Sequence, residues 1–268
     1  MGRILTGLFV AAVLAFEVAP LVPVVLSSFS GSNIVRFPPD GFSLQWYPAI
    51  PASHWRALGI SLLVGGLAAL TACLLGVPAT FALVRGTFPG RNFVRALLMS
   101  PLQVPLVVAG IVFMQFFFWT QRSLGVTLMG SVAGLTIVHV ILGLPFVIST
   151  LGPVLLRFHE ELEEAALSLG ASRWRTIRRV TLPAIAPGIF AGAMYAFIVS
   201  FGNVAASIFL VSTRTMTLPV EIFYAMEFDM RPSVLAMSTL VILLSAVIVR
   251  LVYRFTGAEP KGQVERPL

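Results

Sequence analysis

The chain has 268 residues, of which 57% are hydrophobic and only 11% charged, with 18 Lys and Arg against 11 Asp and Glu. A water-soluble domain carries roughly 25% charged residues, so this composition excludes one and describes an integral membrane protein. One cysteine, Cys73, excludes an intrachain disulfide, and a net charge of +7 is accounted for by topology and anionic head groups, not by nucleic-acid binding.

In chain order, the first apolar run covers about residues 4–29, long enough for a tilted helix to cross a bilayer. Its length, and Glu17 at the third position before a cut after Ala19, argue for a retained span over a cleaved leader. Glu17 is the only acidic residue inside a predicted span. An ionised side chain there costs on the order of 2.5–3.5 kcal/mol, so Glu17 is a candidate for the translocation path, with a hydrogen bond to a neighbouring helix as the alternative. Pro20 and Pro23 beyond it open the backbone.

Further runs follow over about 57–84, 96–119, 129–151, 184–212 and 234–253, that over 96–119 interrupted by Pro101 and Pro105. Backbone amides in lipid must be bonded within their own segment, so six transmembrane helices and an all-α membrane fold are expected. Cys73 is read as a small packing residue, and Phe116-Phe117-Phe118-Trp119 as an outer-interface cluster. Gln115, Ser200, Asn203 and Ser207 are polar candidates for a solute path, each equally able to bond helix to helix. In the fifth span Gly188, Gly192, Ala196 and Ser200 recur every four residues, a ridge that lets another helix approach closely.

Alternating the loops between two sides places 13 of the 18 basic residues on one side, Arg3, Arg85, Arg157 and Arg173 to Arg179 among them, and five on the other. This bias assigns both termini to the cytoplasm. The whole chain is expected to form one membrane domain over 1–268: a first span and outer loop over 1–55, a core over 56–255 and a polar tail over 256–268.

Several chemistries are missing. The sole lysine, Lys261, follows Pro260 in the tail and cannot complete a phosphate-binding loop. His54, His139 and His159 are far apart in sequence, and His159-Glu160-Glu161-Leu162-Glu163 lacks the two-histidine spacing of a zinc site. Ser168 between Leu167 and Leu169 has no nucleophile elbow around it. No catalytic residue, metal site or cofactor is therefore expected in the chain.

The loop over 157–183 is a charged island between two spans. Leu162, Ala165, Ala166 and Leu169 fall on one helical stripe, with Glu160 and Glu161 toward the positive end of the helix dipole. Gly170 ends that helix, Ser172 caps a second one with Trp174, Ile177 and Val180 on its apolar side, and Pro183 breaks it after Leu182. A helix, turn, helix module sticky on one side is suited to a groove on a partner.

This pattern resembles the Glu-Ala-Ala motif of permease subunits in binding-protein-dependent ABC importers. It is matched at Glu164, Ala165, Ala166, Gly170, Leu182 and Pro183, with Val180 in place of the usual isoleucine. The likeness extends to Ser100-Pro101-Leu102 with Pro105, to Thr217-Leu218-Pro219-Val220 and to Ser238-Thr239-Leu240. It implies the MetI-like fold of type I importers, six transmembrane helices with a cytoplasmic coupling-helix loop between the fourth and fifth, in a bacterial inner membrane. It also implies a second, homologous permease subunit, two ATP-binding cassette ATPases that hold ATP and Mg, and an external solute-binding protein. On this resemblance Glu163, Glu164, Ala165, Ala166, Gly170, Ala171, Trp174, Val180, Leu182 and Pro183 contact the ATPase. Gly188, Gly192 and Ala196 then line the interface between permease subunits, packing within one subunit being the alternative.

Among such permeases the chain resembles the spermidine/putrescine group, through its length, Trp46-Tyr47 and the run from Ser200-Phe201 to Phe209-Leu210. Gly202-Asn203 departs from the acidic residues that group often carries after Ser-Phe, while Glu221, Glu227 and Asp229 offer acids in the last outer loop. Ferric iron, thiamine, phosphonate and opine permeases remain open as alternatives. A secondary transporter would show inverted repeats, which the runs do not display.

Overall fold

The structure, a computed structural model, describes residues 2–228 and 230–256, so that Asp229 and the tail with Lys261 lie outside the described residues. The described residues contain helices and irregular segments and no strand. Four helices are long and apolar enough to cross a membrane by themselves: 52–85, 132–156, 173–201 and 232–250. Two bent helix pairs bring the number to as many as six, if each pair is one span.

The first bent pair is α1 (Gly2–Val18) with α2 (Leu21–Ser27), and its 48° bend falls at the Ala19-Pro20 step. α3 (Ala52–Arg85) follows. The second pair corrects the expected third span over 96–119. α4 (Arg91–Met99) and a 3-10 turn over Ser100–Gln103 meet α5 (Leu106–Leu124) at 106°, so the segment is bent where one straight helix was expected. The cause is Pro105, which pushes Val104 into extended backbone, ψ 127°, and cannot continue the preceding helix.

α6 (Val132–Leu156) starts at Ser131, whose side chain accepts a hydrogen bond from the Gly134 amide. α7 (Glu161–Ser168) and α8 (Arg173–Thr176) form the charged island. The expected break after Leu182 does not occur. A π turn over Ile177–Thr181 joins α8 to α9 (Leu182–Phe201) in one continuous rod. In that wide turn the Leu182 amide reaches the Ile177 carbonyl, five residues back, and Pro183, with no amide to donate, is accommodated without ending the rod.

The fifth apolar run is also shorter as a helix than expected. α9 stops at Phe201, and 202–217 is irregular apart from a 3-10 turn over Ser207–Phe209, held by the Asn203 side chain accepting from the Ala206 amide. α10 (Leu218–Phe228) and α11 (Pro232–Thr256) complete the chain.

Packing divides the described residues into two compact units, 2–58 with 220–228 and 230–249, and 59–219 with 250–256. In the second, Val64 of α3, Phe117 of α5, Leu135, Val138 and Leu142 of α6, and Ala206 and Leu210 form a core cluster. Its most extensive helix pair is α6 with α9. In the first unit, residues 28–47 bond to themselves: Ser28 to Tyr47 OH at 2.9 Å, Trp46 Nε1 to the Ser30 carbonyl at 2.7 Å, and Arg36 paired with Asp40. Trp46 and Tyr47 thus hold this loop together.

Candidate coupling site and buried polar cluster

The island is built from local backbone rules. Glu161, Glu163 and Glu164 lie in the first turn of α7, where carboxylates favour the positive end of the helix dipole. The helix ends in the expected glycine cap: Gly170 has φ +85°, its amide bonds to the Leu167 carbonyl at 2.9 Å, and the Ala171 amide bonds to the Ala166 carbonyl at 3.0 Å. Ser172 opens α8, its hydroxyl accepting from the Arg175 amide at 3.3 Å. The turn between the two helices is therefore fixed by four successive residues, 169–172, with no help from other elements.

Among its exposed charges the module also shows large apolar side chains to solvent. Leu169 is 90% exposed, Trp174 69% and Leu162 52%, and no residue of α7 is buried. On the second helix the inward residues are Thr176 and Thr181, while Trp174 and Ile177 point outward and Val180 is half-buried. Of the two adjacent acids, Glu164 is exposed and Glu163 turns inward.

Glu163 meets Arg85, the last residue of α3. Arg85 Nη1 donates to both Glu163 carboxylate oxygens at 3.0 Å, and the Thr181 hydroxyl donates to Glu163 Oε1 at 2.5 Å. Glu160 Oε1 stands 3.2 Å from Arg85 Nε, an ion pair by proximity. The guanidinium lies over the rings of Phe81 and Phe158, 5.3 and 5.5 Å from their centroids. Sequence reasoning counted Arg85 only as a topology charge. Its place at the end of a long apolar run, like that of many cytoplasmic arginines, gave no sign of a partner 78 residues away.

Inside the second unit, His139 of α6 is the polar residue that sequence reasoning missed. It is 2% exposed, with Nδ1 2.6 Å from Ser200 Oγ and Nε2 3.0 Å from Ser207 Oγ. Ser200 and Ser207, expected as solute-path candidates, hold α6 to the last turn of α9 and to the 3-10 turn that follows it. Asn203 is 5% exposed, and its Nδ2 has no hydrogen-bond partner among the described residues. Gln115 and Glu17 are exposed, with no hydrogen bond or ion pair among the described residues.

The ridge expected at a subunit interface is covered from within the chain. Gly188, Gly192, Ala196 and Ser200 are buried on α9. A β-carbon on Gly192 would stand 2.9 Å from Val147 Cα, and one on Gly188 3.0 Å from Val154 Cγ2, both on α6. On α9 these small residues face α6 of the same chain, and the glycines there are what let the two backbones meet.

In the first unit Glu221 opens α10 and lies 3.5 Å from His54 Nδ1. The two line a cavity of about 330 Å³ together with Tyr224 and Phe228. Glu227 is exposed.

Residues 72–257 match the family described as "Binding-protein-dependent transport system inner membrane component". The chain is 30% identical over 252 residues to the spermidine/putrescine transport system permease protein PotC of Escherichia coli K12, covering 93% of this chain and 92% of that one. It is 29% identical to the putrescine transport system permease protein PotI of the same strain, covering 85% and 82%. Its fold is similar to that of a chain from a bacterial ABC transporter importing the acidic polysaccharide alginate. The TM-score is 0.71 at 16% identity, covering 94% of this chain and 95% of that one.

Proposed function

The chain belongs to the family of inner membrane components of binding-protein-dependent transport systems, and from that premise we propose that it couples to an ATPase through the loop over 157–183. As a permease it supplies membrane-spanning helices and leaves ATP and Mg to two ATPase subunits, with a second, homologous permease and an external solute-binding protein completing the assembly. The observation that carries the coupling reading is the exposure of Leu162, Leu169 and Trp174 on a module whose turn is locked by the Gly170 cap. A rigid knuckle that exposes Leu162, Leu169 and Trp174 together is suited to filling a groove on a partner. Both termini and the loop then face the cytoplasm, in keeping with the arginine bias.

The solute we infer is a polyamine. Its support is the similarity to PotC and PotI along most of both chains. Most discrimination would reside on the receptor, since the polar residues His139, Ser200 and Ser207 bond to one another. The test is reconstitution of the whole assembly in proteoliposomes: ATP-dependent uptake of spermidine or putrescine supports the reading, and uptake that ignores both while another receptor-bound solute enters refutes the polyamine assignment.

A further inference from the structure

We infer that Arg85 is the positioning residue that joins the docking helix α7 to the spanning helices, so that a displacement of α7 reaches the end of α3 and the start of α9 through Glu163. This rests on the coupling reading above and adds the route by which movement leaves the loop.

Apolar burial does not hold α7 in place, because none of its residues is buried. What holds it to the rest of the second unit is polar and directional. Glu163, whose side chain is 20% exposed, takes two contacts from Arg85 Nη1 at 3.0 Å and one from Thr181, itself fully buried in the π turn that enters α9. The guanidinium is further held by its contacts with the rings of Phe81 of α3 and of Phe158, just beyond α6. One carboxylate thus ties α7 to the end of α3 and to the root of α9, and the arginine that binds it is clamped against the end of α6. Charge-assisted bonds of this kind hold their geometry better than neutral ones, and a lysine would lose the planar contact with both rings.

Beside the joint lies a cavity of about 280 Å³ lined by Phe81, Arg85, Glu163, Leu167, Arg173 and Thr176. A packed block would carry movement through every contact. Here space on one side leaves the ion pair as the stiff connection.

The experiment uses the complete transporter, with both permeases, the ATPases and the receptor. Cys73 is replaced by Ala, and spin labels are placed on cysteines at Ser168 of α7 and Leu74 of α3, both exposed. The distance between the labels is read with and without ATP. The native joint is expected to give one narrow distribution in both states, since α7 and α3 move together. Arg85→Gln and Thr181→Val are expected to broaden the distribution and make it shift on ATP addition, Arg85→Lys to fall between, and Arg85→Glu with Glu163→Arg to narrow it again. Should Arg85→Gln fail to assemble, Thr181→Val and Arg85→Lys carry the test.

Native-width distributions in Thr181→Val and Arg85→Lys, or an ATP-dependent distance in the unaltered joint, would overturn the inference. The mobility of the Ser168 label separates this from the coupling reading. If adding the ATPases does not immobilise it, the loop is not a docking site. If they do and the distances stay native in every variant, only the joint is refuted.

Discussion

Gly143 of α6 lies so close to Ala196 of α9 that a β-carbon built on it would stand 3.1 Å from the Ala196 β-carbon. Two helices meet at that distance only because one supplies no side chain, and the contact continues at Gly192 against Val147 and Gly188 against Val154. Cysteines at Gly192 or Ala196 are therefore expected not to cross-link to a neighbouring permease subunit. Gly192→Val is expected to destabilise the fold by about 1–3 kcal/mol through overpacking, seen as earlier thermal unfolding of the detergent-solubilised assembly. Efficient cross-linking at either site would show that the ridge faces outward.

His139 makes the next expectation. Truncating it to Ala leaves the hydroxyls of Ser200 and Ser207 without the partner they share. A buried polar group left unpaired costs roughly 1–3 kcal/mol, so His139→Ala should lower the unfolding midpoint clearly. Adding Ser200→Ala and Ser207→Ala to it should recover part of the loss, since the orphaned hydroxyls are then gone. A triple variant no more stable than His139→Ala would contradict this account of the cluster.

Gly170 carries a different kind of constraint. At φ +85° a branched side chain is strained by roughly 1–2 kcal/mol, although no atom lies within 4 Å of its missing β-carbon. Gly170→Val should therefore insert normally and yet misdirect the knuckle, so that ATP hydrolysis continues while uptake falls, by roughly tenfold or more on the scale of coupling effects. The ratio of solute imported to ATP hydrolysed is the measurement. Unchanged uptake would remove the loop from the coupling route.

Much of this was legible in the residues. The hydropathy runs placed α3, α6 and α11 within a few positions at most boundaries, and the island's two helices, its glycine cap and its serine cap follow from local chemistry that tertiary packing did not override. The failures share a cause. Pro105 ended a helix while Pro183 sat harmlessly in the first turn of another, and only the backbone around each decides which. A ridge of small residues states that a helix comes close without saying whose, and α6 proved to be the one. Arg85 and His139 find their partners 78, 61 and 68 residues away, separations at which no local pattern exists to read.

The most direct test of the central claim is a cross-link from the knuckle to its motor. With Trp174→Cys in a Cys73→Ala background, and a single cysteine scanned along the groove of the ATPase, the assembled transporter should give a disulfide between the two polypeptides whose yield changes when ATP is added. A Trp174→Cys variant that assembles and transports, yet bonds to the ATPase at no position in either nucleotide state, would contradict it.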